Sequence, residues 1–426
     1  MSKLYLGVKK VDITPKVGCL LSGYRPDLRS TSVHDSLDAT AFVFGYGDTT
    51  AVLVSATVCT LPKVLTDGIR EQLQKELGIP TANIMLAATH THSGPVTRGQ
   101  YVDREYIDTV LAPGIIGAVK QATENMQPVK VGYACGDSLV GINRREPRAN
   151  NQFVLGQCAW GCFDPRMTVV TFRGESGKTA ASMVFYGCHG TSAGPNQEIT
   201  QDWAGVMVRR LEAVSGAPAA FFNGALGDVG PRLTNGKTTG NIHLTEELGG
   251  VAAQDAVRIF QHVTQYADCD MKCATGQVKL PLKKRVSLEE AQRKLAEYDS
   301  SEGDDAAIKV QTHFEAVIRS YEDGYQEQEC FYDEQIVLRI GTLVFVTFQR
   351  EIFSEIAMRI QKEHKSLVVL PVAIVNDYKS YFPTQSQRAV GGFEVQMFET
   401  QNIQEHVDDI DYRLICQSLN HIEKII

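Results

Sequence analysis

The sequence predicts a mixed α/β protein with a layered architecture. From the N-terminus to about residue 190, short apolar runs of strand length alternate with longer segments whose apolar residues recur at helical spacing. Glycine-rich turns separate these segments, and such alternation is typical of layered α/β architectures. The chain has 426 residues, 43% of them hydrophobic, so it can bury a large core. This core could belong to one large domain or to two closely packed ones.

Each predicted strand is a short apolar run bounded by turn residues. The predicted strands are 1–10, 41–44, 51–55, 84–88, 167–172, 181–186, 219–222 and 367–375. A hairpin is predicted from residues 335–340 and 343–348, which flank the Gly341-Thr342 turn. Predicted helices, with apolar residues at helical spacing, are 65–77, 106–125 and about 352–364.

Residues 286–328 differ from the rest of the chain because they are highly charged. Their pattern predicts two helices with a break at residues 300–305. A helical segment of this composition is typical of a solvated surface. We therefore expect a charged helical excursion that carries no chemistry.

The net charge and the apolar runs exclude several classes of partner. The formal net charge is -8 and no basic block is present, which argues against nucleic acid. The N-terminus lacks the apolar region of a secretion signal, and no apolar run approaches the roughly 18 residues that span a bilayer. The sequence therefore predicts a cytoplasmic protein without a transmembrane segment.

The ten cysteines are scattered, and most lie in apolar contexts. Such cysteines are typical of a reducing compartment, where they act as small buried hydrophobes. The pairs Cys158/Cys162 and Cys269/Cys273 have CxxxC spacing. A structural zinc site made from these four residues remains an alternative, although the pairs are far apart and lack the usual turn glycines.

The most informative stretch for chemistry is the HTHSGP segment at residues 90–95, which follows the apolar run 84–88. In an extended segment, residues i and i+2 point the same way. His90 and His92 are therefore predicted to share one face, where one could hold a metal ion and the other could move a proton. The alternative is a pair of polar histidines that only satisfy hydrogen bonds at the end of a strand.

Two further polar residues follow predicted strands. His189 lies between Gly187 and Gly190, and glycines allow the close backbone approach that suits a ligand. Glu351 follows the second hairpin strand and precedes a helix, so its alternative role is to cap that helix. Histidines combined with one carboxylate are the usual ligands of a catalytic zinc site, and such ligands can come from distant parts of the sequence.

Arg144 belongs to the polar NRRE cluster at residues 143–146. A buried arginine offers a fixed cation to a substrate carboxylate, carbonyl or oxyanion, and the alternative is a surface ion pair with Glu146. The glycine-rich segment at residues 223–231 has neither P-loop nor Rossmann spacing, so we do not interpret it as a nucleotide site.

Taken together, these motifs resemble the neutral/alkaline non-lysosomal ceramidase family. Each motif alone is weak, but the ordered series runs along almost the whole chain. The segments that carry the resemblance are VDITP at 11–15, GY at 23–24, HD at 34–35, ATHTHSGP at 88–95, NR at 143–144, HGT at 189–191, DWAG at 202–205, GDV at 227–229, EIF at 351–353, Asn376, YFPT at 381–384 and GGFE at 391–394.

The resemblance implies a zinc-dependent amidase that cleaves an N-acyl bond. Its site would lie on a single mixed α/β domain over residues 1–426, in which helices flank central β-sheets. Its partner would be a small-molecule N-acyl substrate of sphingolipid-like type. In this family pattern, His92 would transfer protons and Arg144 would contact the polar part of the substrate. The implied zinc ligands are His90, His189, Glu351 and Tyr381.

The chain departs from the family pattern at several positions. Phe393 stands where the family usually has tyrosine, Gly230 replaces a serine, and Gln349-Arg350 replaces Pro-Gly before Glu351. The chain ends soon after the last motif, so we expect no C-terminal immunoglobulin-like domain. These departures leave open whether ceramide is the substrate. The alternatives are an esterase or lactonase that uses the same site, and a metal- or ligand-binding relative without catalysis.

Overall fold

The protein is described by a computed structural model that covers residues 3–149, 152–297 and 305–426. It has the predicted mixed α/β class. The strands are β1 (Tyr5–Asp12), β2 (Ser32–Val33), β3 (Asp38–Tyr46), β4 (Thr49–Ala56), β5 (Ile84–Ala88), β6 (Gln127–Asp137), β7 (Gly141–Pro147), β8 (Phe153–Cys158), β9 (Arg166–Gly174), β10 (Thr179–Tyr186), β11 (Glu198–Ile199), β12 (Ala219–Asn223), β13 (Val229–Pro231), β14 (Met271–Pro281), β15 (Cys330–Ile340), β16 (Leu343–Thr347), β17 (Glu351–Ile352), β18 (Val368–Val372) and β19 (Tyr381–Phe382).

Helices connect and cover these strands. They are α1 (Lys63–Leu77), α2 (Arg104–Tyr106), α3 (Ala112–Glu124), α4 (Asp202–Ser215), α5 (Ile242–Gln261), α6 (Leu288–Glu297), α7 (Asp305–Glu322), α8 (Ser354–Glu363), α9 (Gln385–Arg388), α10 (Phe393–Glu399) and α11 (Ile410–Glu423). A 3₁₀ turn (Thr81–Asn83) precedes β5, and a π-helical turn (Ile107–Leu111) joins α2 to α3.

The predicted helix 106–125 is therefore not one regular α-helix. The Asp103 side chain accepts a hydrogen bond from the backbone of Tyr106 and caps α2, and Pro113 lies in the first turn of α3. Proline is tolerated there because the first-turn N–H groups have no intrahelical partner. The predicted break at residues 300–305 lies outside the described residues, apart from Asp305 at the start of α7.

Two larger sheets form the centre of the described part of the fold. The first joins strands in the order β12-β10-β9-β6-β1-β3-β4-β5, with β10/β12 and β4/β5 parallel. The second joins β14-β15-β16-β18 and contains the predicted hairpin as β15 and β16. Mixed sheets of this kind can be buried on both faces.

Side chains of β3 alternate between two layers of the core. Ala41 and Val43 pack in one cluster with residues of α1 and α3, whereas Phe42 and Phe44 pack in another with Phe345 of the second sheet. Alternate residues of a strand point to opposite faces, so both faces of the first sheet are buried. Helices α4 and α5 cover another part of that sheet, and α8 and α11 cover the outer face of the second sheet.

The two outermost strands of the first sheet, β5 and β12, approach each other in space. The Ser55 hydroxyl of β4 donates to the carbonyl of Phe221 (2.6 Å), and the Asn223 amide donates to the carbonyl of Thr89 (3.0 Å). The ends of β5, β10 and β12 therefore lie side by side. Within the described ranges, no helix is both long and apolar enough to cross a membrane.

Candidate metal centre

His90 and His92 lie close together, but not because they occupy an extended strand. Strand β5 ends at Ala88, and His90 has a φ of 67°, in the left-handed region. A positive φ is uncommon for a residue other than glycine and is often found at functional sites. The two rings have centroids 4.9 Å apart, with the Nε2 atoms at 3.3 Å. The predicted proximity is confirmed, whereas the predicted extended geometry is wrong.

The loop that carries His189 lies directly against the loop that carries His90. A Cβ atom at Gly190 would lie 2.8 Å from the carbonyl oxygen of His90, so this contact requires glycine. The backbone N–H of His92 donates to the carbonyl of Gly190 (2.9 Å). The predicted role of glycine beside His189, close backbone approach, is confirmed.

Asn223 fixes the two histidine loops relative to each other. Its side-chain amide donates to the carbonyls of Thr89 and Cys188, both at 3.0 Å, and its oxygen accepts from the N–H of Cys188 at 3.0 Å. Thr89 and Cys188 immediately precede His90 and His189. The sequence offered no signal for this role beyond the position of Asn223 at a strand end.

Glu351 is completely buried in β17, which pairs in parallel with β19 and aligns Glu351 with Tyr381. The capping alternative for Glu351 is wrong, because α8 begins at Ser354 and its N–H and hydroxyl both donate to Asp228 (2.8 Å each). The glycine-rich segment 223–231 packs on β17. A Cβ at Gly227 would lie 2.4 Å from the carbonyl oxygen of Glu351.

The histidine rings present their Nε2 atoms to Glu351. His90 Nδ1 lies 2.8 Å from the carbonyl oxygen of Cys59, and His189 Nδ1 lies 2.9 Å from that of Leu226 and 3.0 Å from that of Val229. A carbonyl only accepts hydrogen bonds, so each Nδ1 carries a proton and each Nε2 of the neutral ring has a lone pair. His189 Nε2 is 2.9 Å from one Glu351 oxygen, and His90 Nε2 is 3.5 Å from the other.

Two of the acceptor atoms in this set, one on His189 and one on Glu351, have no donor among the described residues. His189 Nε2 and Glu351 Oε2 are buried without a hydrogen-bond partner in the described structure, although they are in contact. Two acceptors in contact are favourable only with a positive charge between or beside them. Ligand atoms of His90, His189 and Glu351 all lie within 4.8 Å of one another, which suits a metal ion. The residues present therefore fit a metal.

The pKa shifts of Glu351, His189 and His90 also indicate that the carboxylate needs a positive charge beside it. Burial raises the pKa of Glu351, but His90 and His189 outweigh it, so the net shift is downward and the carboxylate stays charged. Burial, with Arg144, lowers the pKa of His189 to about 4. Burial also opposes protonation of His90, but Cys59 and Glu351 outweigh it and raise its pKa to about 9. In the absence of a metal, a proton on His90 balances Glu351.

Two tyrosines lie beside this cluster. The Tyr381 ring stacks on His189 with centroids 6.3 Å apart, and burial followed by Glu351 raises the pKa of its hydroxyl. Tyr378 donates a hydrogen bond to Glu351 Oε1 at 2.7 Å, and its ring stacks on His90 with centroids 6.2 Å apart. Sequence reasoning missed Tyr378, which lies only three residues before Tyr381 and had no motif of its own.

A second cluster, Cys59 with His90 and His92, also has ligand atoms close enough for a metal. The Cys59 Sγ lies 3.7 Å from His90 Nδ1, the atom that bonds the Cys59 carbonyl. A metal bound there would replace that hydrogen bond, whereas His90, His189 and Glu351 converge with their Nδ1 bonds intact. We therefore take His90, His189 and Glu351 as the candidate centre, with His92 beside it.

Arg144 and Arg145 both bind the buried carboxylate of Glu394. Arg144 Nε donates to one oxygen and Arg145 Nη1 to the other, each at 2.8 Å. Adjacent strand residues normally point to opposite faces, but the β7–β8 register shifts between Asn143 and Arg145. The alternative of a surface pair between Arg144 and Glu146 is wrong.

Arg144 Nη2 is buried without a hydrogen-bond partner in the described structure, and its guanidinium lies 5.4 Å from the Tyr381 ring centroid.

We expect Glu394→Gln to destabilise the protein strongly, because it removes the one charge that two buried guanidinium groups share. Breaking a buried ion pair by removing one partner typically costs about 3–5 kcal/mol. The measurement is urea unfolding of the metal-free chain, compared with Glu247→Gln on the exposed surface of α5. A loss below about 1 kcal/mol would show that water or another group compensates the two arginines.

The departures from the family pattern have local structural correlates. The Phe393 ring packs edge-on against Tyr381, with centroids 5.9 Å apart. A Cβ at Gly230 would lie 2.7 Å from the Cβ of Thr238, so a serine there would need Thr238 to move. Arg350 is buried and donates to both oxygens of Asp333, at 2.5 and 3.3 Å, which anchors the start of β17 to β15.

The two CxxxC pairs were candidates for a structural zinc site. In the described residues, neither CxxxC pair belongs to a cluster of three or more potential metal ligands, and Cys162 is exposed while Cys158 is buried. The helical excursion has a small core of its own, because Val310, Phe314 and Val317 of α7 are buried against α6. Helix α7 also lines a cavity of about 620 Å³.

Comparison with known proteins identifies the family to which this sequence is similar. Residues 4–247, more than half of the chain, match the family profile described as neutral/alkaline non-lysosomal ceramidase, N-terminal. The chain is 29% identical over 266 residues to neutral ceramidase A of Dictyostelium discoideum, covering 56% of this chain and 37% of that protein. It is 28% identical over 187 residues to neutral ceramidase of Pseudomonas aeruginosa, covering 39% of this chain and 28% of that protein.

Longer solved structures contain the fold of this chain over its full length. The crystal structure of neutral ceramidase from Pseudomonas aeruginosa matches with a TM-score of 0.73 at 19% identity, over 100% of this chain and 75% of that one. A ceramidase complexed with C2 matches with a TM-score of 0.75 at 18% identity, over 100% of this chain and 76% of that one. The aligned parts span well under half the length of the curated relatives. On the profile match, the chain belongs to the neutral/alkaline non-lysosomal ceramidase family.

Proposed function

We propose that the protein is a zinc-dependent hydrolase that cleaves the amide bond of a small N-acyl substrate. The observation that carries the proposal is the convergence of His90 Nε2, His189 Nε2 and the Glu351 carboxylate, with both Nδ1 atoms held by carbonyls. Two imidazoles and a carboxylate are a common ligand set of catalytic zinc. Tyr381, aligned with Glu351 across β17 and β19, would complete the set.

When bound, zinc would supply a Lewis acid that polarises the acyl carbonyl and makes water a stronger nucleophile at neutral pH. The histidine–carbonyl contacts would hold the ligand rings in the required tautomer and orientation. Tyr378 would orient the Glu351 carboxylate through its 2.7 Å hydrogen bond.

His92 would act as the proton carrier. Its ring is partly exposed and its Nδ1 has no hydrogen-bond partner in the described structure, while burial and then His90 and His189 lower its pKa. A neutral imidazole can accept a proton from the attacking water and return it to the leaving amine. The closeness of His92 Nε2 to His90 Nε2, 3.3 Å, supports action beside the metal.

Arg144 would bind the substrate carbonyl oxygen as negative charge develops on it. Its Nε is fixed by Glu394, and its buried Nη2 keeps a donor that has no partner within the described protein. A preorganised charged donor in a water-poor site stabilises an oxyanion more than one in bulk water does. The Arg145–Glu394 contact would keep this guanidinium from moving.

Hydrolysis of an ester or lactone at the same site is a second candidate, because Phe393 lacks the hydroxyl that family members usually have.

The experiment that tests both candidates is metal analysis of the dialysed full chain after zinc loading, followed by assay of an N-acyl amino acid, a short-chain ceramide, an acyl ester and a lactone. We expect stoichiometric zinc and release of fatty acid from an amide. Turnover of esters or lactones alone would favour the second candidate, and bound zinc without any turnover would favour a non-catalytic protein. Loss of the metal on dialysis would contradict the proposal.

A further inference from the structure

A cationic cavity lies next to the candidate metal centre, on the far side of the Tyr378 ring. Its volume is about 380 Å³, and its walls include Arg98, Arg350, Tyr378, Lys379 and Asn402. The Tyr378 hydroxyl binds Glu351, while the Arg98 guanidinium lies 4.1 Å from the centroid of the same ring. One aromatic ring therefore separates Arg98 from the carboxylate of the metal centre.

The charge of this cavity contrasts with that of the whole protein, which has a net charge of -8. No carboxylate side chain of a described residue lines it. Two of the cations in the cavity wall form ion pairs with a carboxylate that does not line the cavity. Asp333 accepts hydrogen bonds from Arg350 at 2.5 Å and from Lys379 at 3.0 Å. Arg98 is different: it forms no ion pair with any residue that the structure describes.

Arg98 also reaches beyond this cavity. It lines the neighbouring cavity of about 620 Å³ that α7 covers, whose described lining again contains no carboxylate. The planar guanidinium stacked on an aromatic ring is a common arrangement for arginine, and it leaves the edge N–H groups free to bind a carboxylate or phosphate. Arg98 is exposed and contacts the Tyr378 ring with its guanidinium, which leaves its donors available to a ligand in the cavity.

We propose that Arg98 binds an anionic group of the substrate, so that the protein acts on N-acyl amides whose amine half carries a carboxylate, such as N-acyl amino acids. This inference rests on the proposed amide hydrolysis at the metal centre. In an N-acyl amino acid the carboxylate is joined to the scissile amide by a short linker on the amine side, and Arg98 is the cation that shares the Tyr378 side chain with Glu351. A neutral amide such as ceramide would leave Arg98 without a partner.

The test compares N-dodecanoylglycine with its neutral counterpart N-dodecanoylglycinamide on the zinc-loaded full chain. We expect kcat/KM to favour the carboxylate by roughly 10-fold or more, the size of a charge-assisted hydrogen bond. Arg98→Gln should remove this preference, measured as the ratio of kcat/KM for the two substrates. Arg98→Lys should retain part of the preference, and Arg413→Gln, on the exposed surface of α11, should retain all of it. Added salt should weaken the preference of the wild type.

Equal turnover of both substrates by the wild type, or equal loss of both in Arg98→Gln, would overturn the proposal. If neither substrate is hydrolysed, the proposed amidase function fails, and calorimetric titration with N-dodecanoylglycine then tests the anion site by itself. Binding that is about 10-fold weaker in Arg98→Gln than in the wild type would support that site. Equal binding by both would reject it.

Discussion

Replacing His189 by alanine is expected to abolish metal binding and to reduce amide hydrolysis by at least about 1,000-fold, which corresponds to the roughly 4 kcal/mol that a catalytic metal can supply. His189 is completely buried, and its Nε2 lies 2.9 Å from Glu351, closer than the Nε2 of His90 at 3.5 Å. Alanine removes this ligand and leaves one imidazole facing the carboxylate. The measurements are zinc per chain after dialysis and the rate of fatty acid release.

A matched control separates loss of a ligand from loss of a histidine. His243 lies on α5 with its side chain 82% exposed, so His243→Ala should retain both zinc and activity. Thermal unfolding with and without zinc completes the test, because a ligand that binds only the folded state stabilises it. Wild type and His243→Ala should gain stability with zinc, whereas His189→Ala should not. Full zinc content in His189→Ala would exclude His189 from the ligand set.

Much of the fold could be predicted because its signals are local. The strand β5 is a run of small and branched apolar residues, and α1 has apolar positions at helical spacing, so each element is recognisable without tertiary information. The hairpin of β15 and β16 has its turn at Gly341, which has a φ of 59°. The approach of β5 to β12 could not be predicted in this way, because it depends on the curvature of the whole sheet.

The candidate site was predictable to a similar extent. His90, His189 and Glu351 each follow a strand or lie beside glycine, and these local signs indicated them as ligands before any geometry was known. Their partners carry no such sign. Asn223 joins the histidine loops through three hydrogen bonds, and Glu394 joins two arginines about 250 positions away. Contacts of such long separation in sequence are set by the packing of layers and not by local pattern.

The pair that first indicated chemistry, His90 and His92, can now be assigned two different tasks by experiment. His92→Gln is expected to retain stoichiometric zinc while lowering kcat by about 100-fold or more, the usual contribution of a general acid–base group. Glutamine keeps a polar side chain of similar reach but cannot carry a proton at neutral pH. Since the substrate is bound by other groups, KM should change little, and kcat/KM should fall in parallel with kcat.

The same variant distinguishes the two possible metal clusters. If the metal is held by His90, His189 and Glu351, His92→Gln keeps it, and Cys59→Ser keeps it as well. If the ligands are instead Cys59, His90 and His92, which also lie within 4.8 Å of one another, both variants lose zinc. His243→Gln again serves as the exposed control. Retained zinc with unchanged kcat in His92→Gln would contradict the proton-transfer role and would assign that task to water or to another group, because no step of the reaction would then depend on the second histidine.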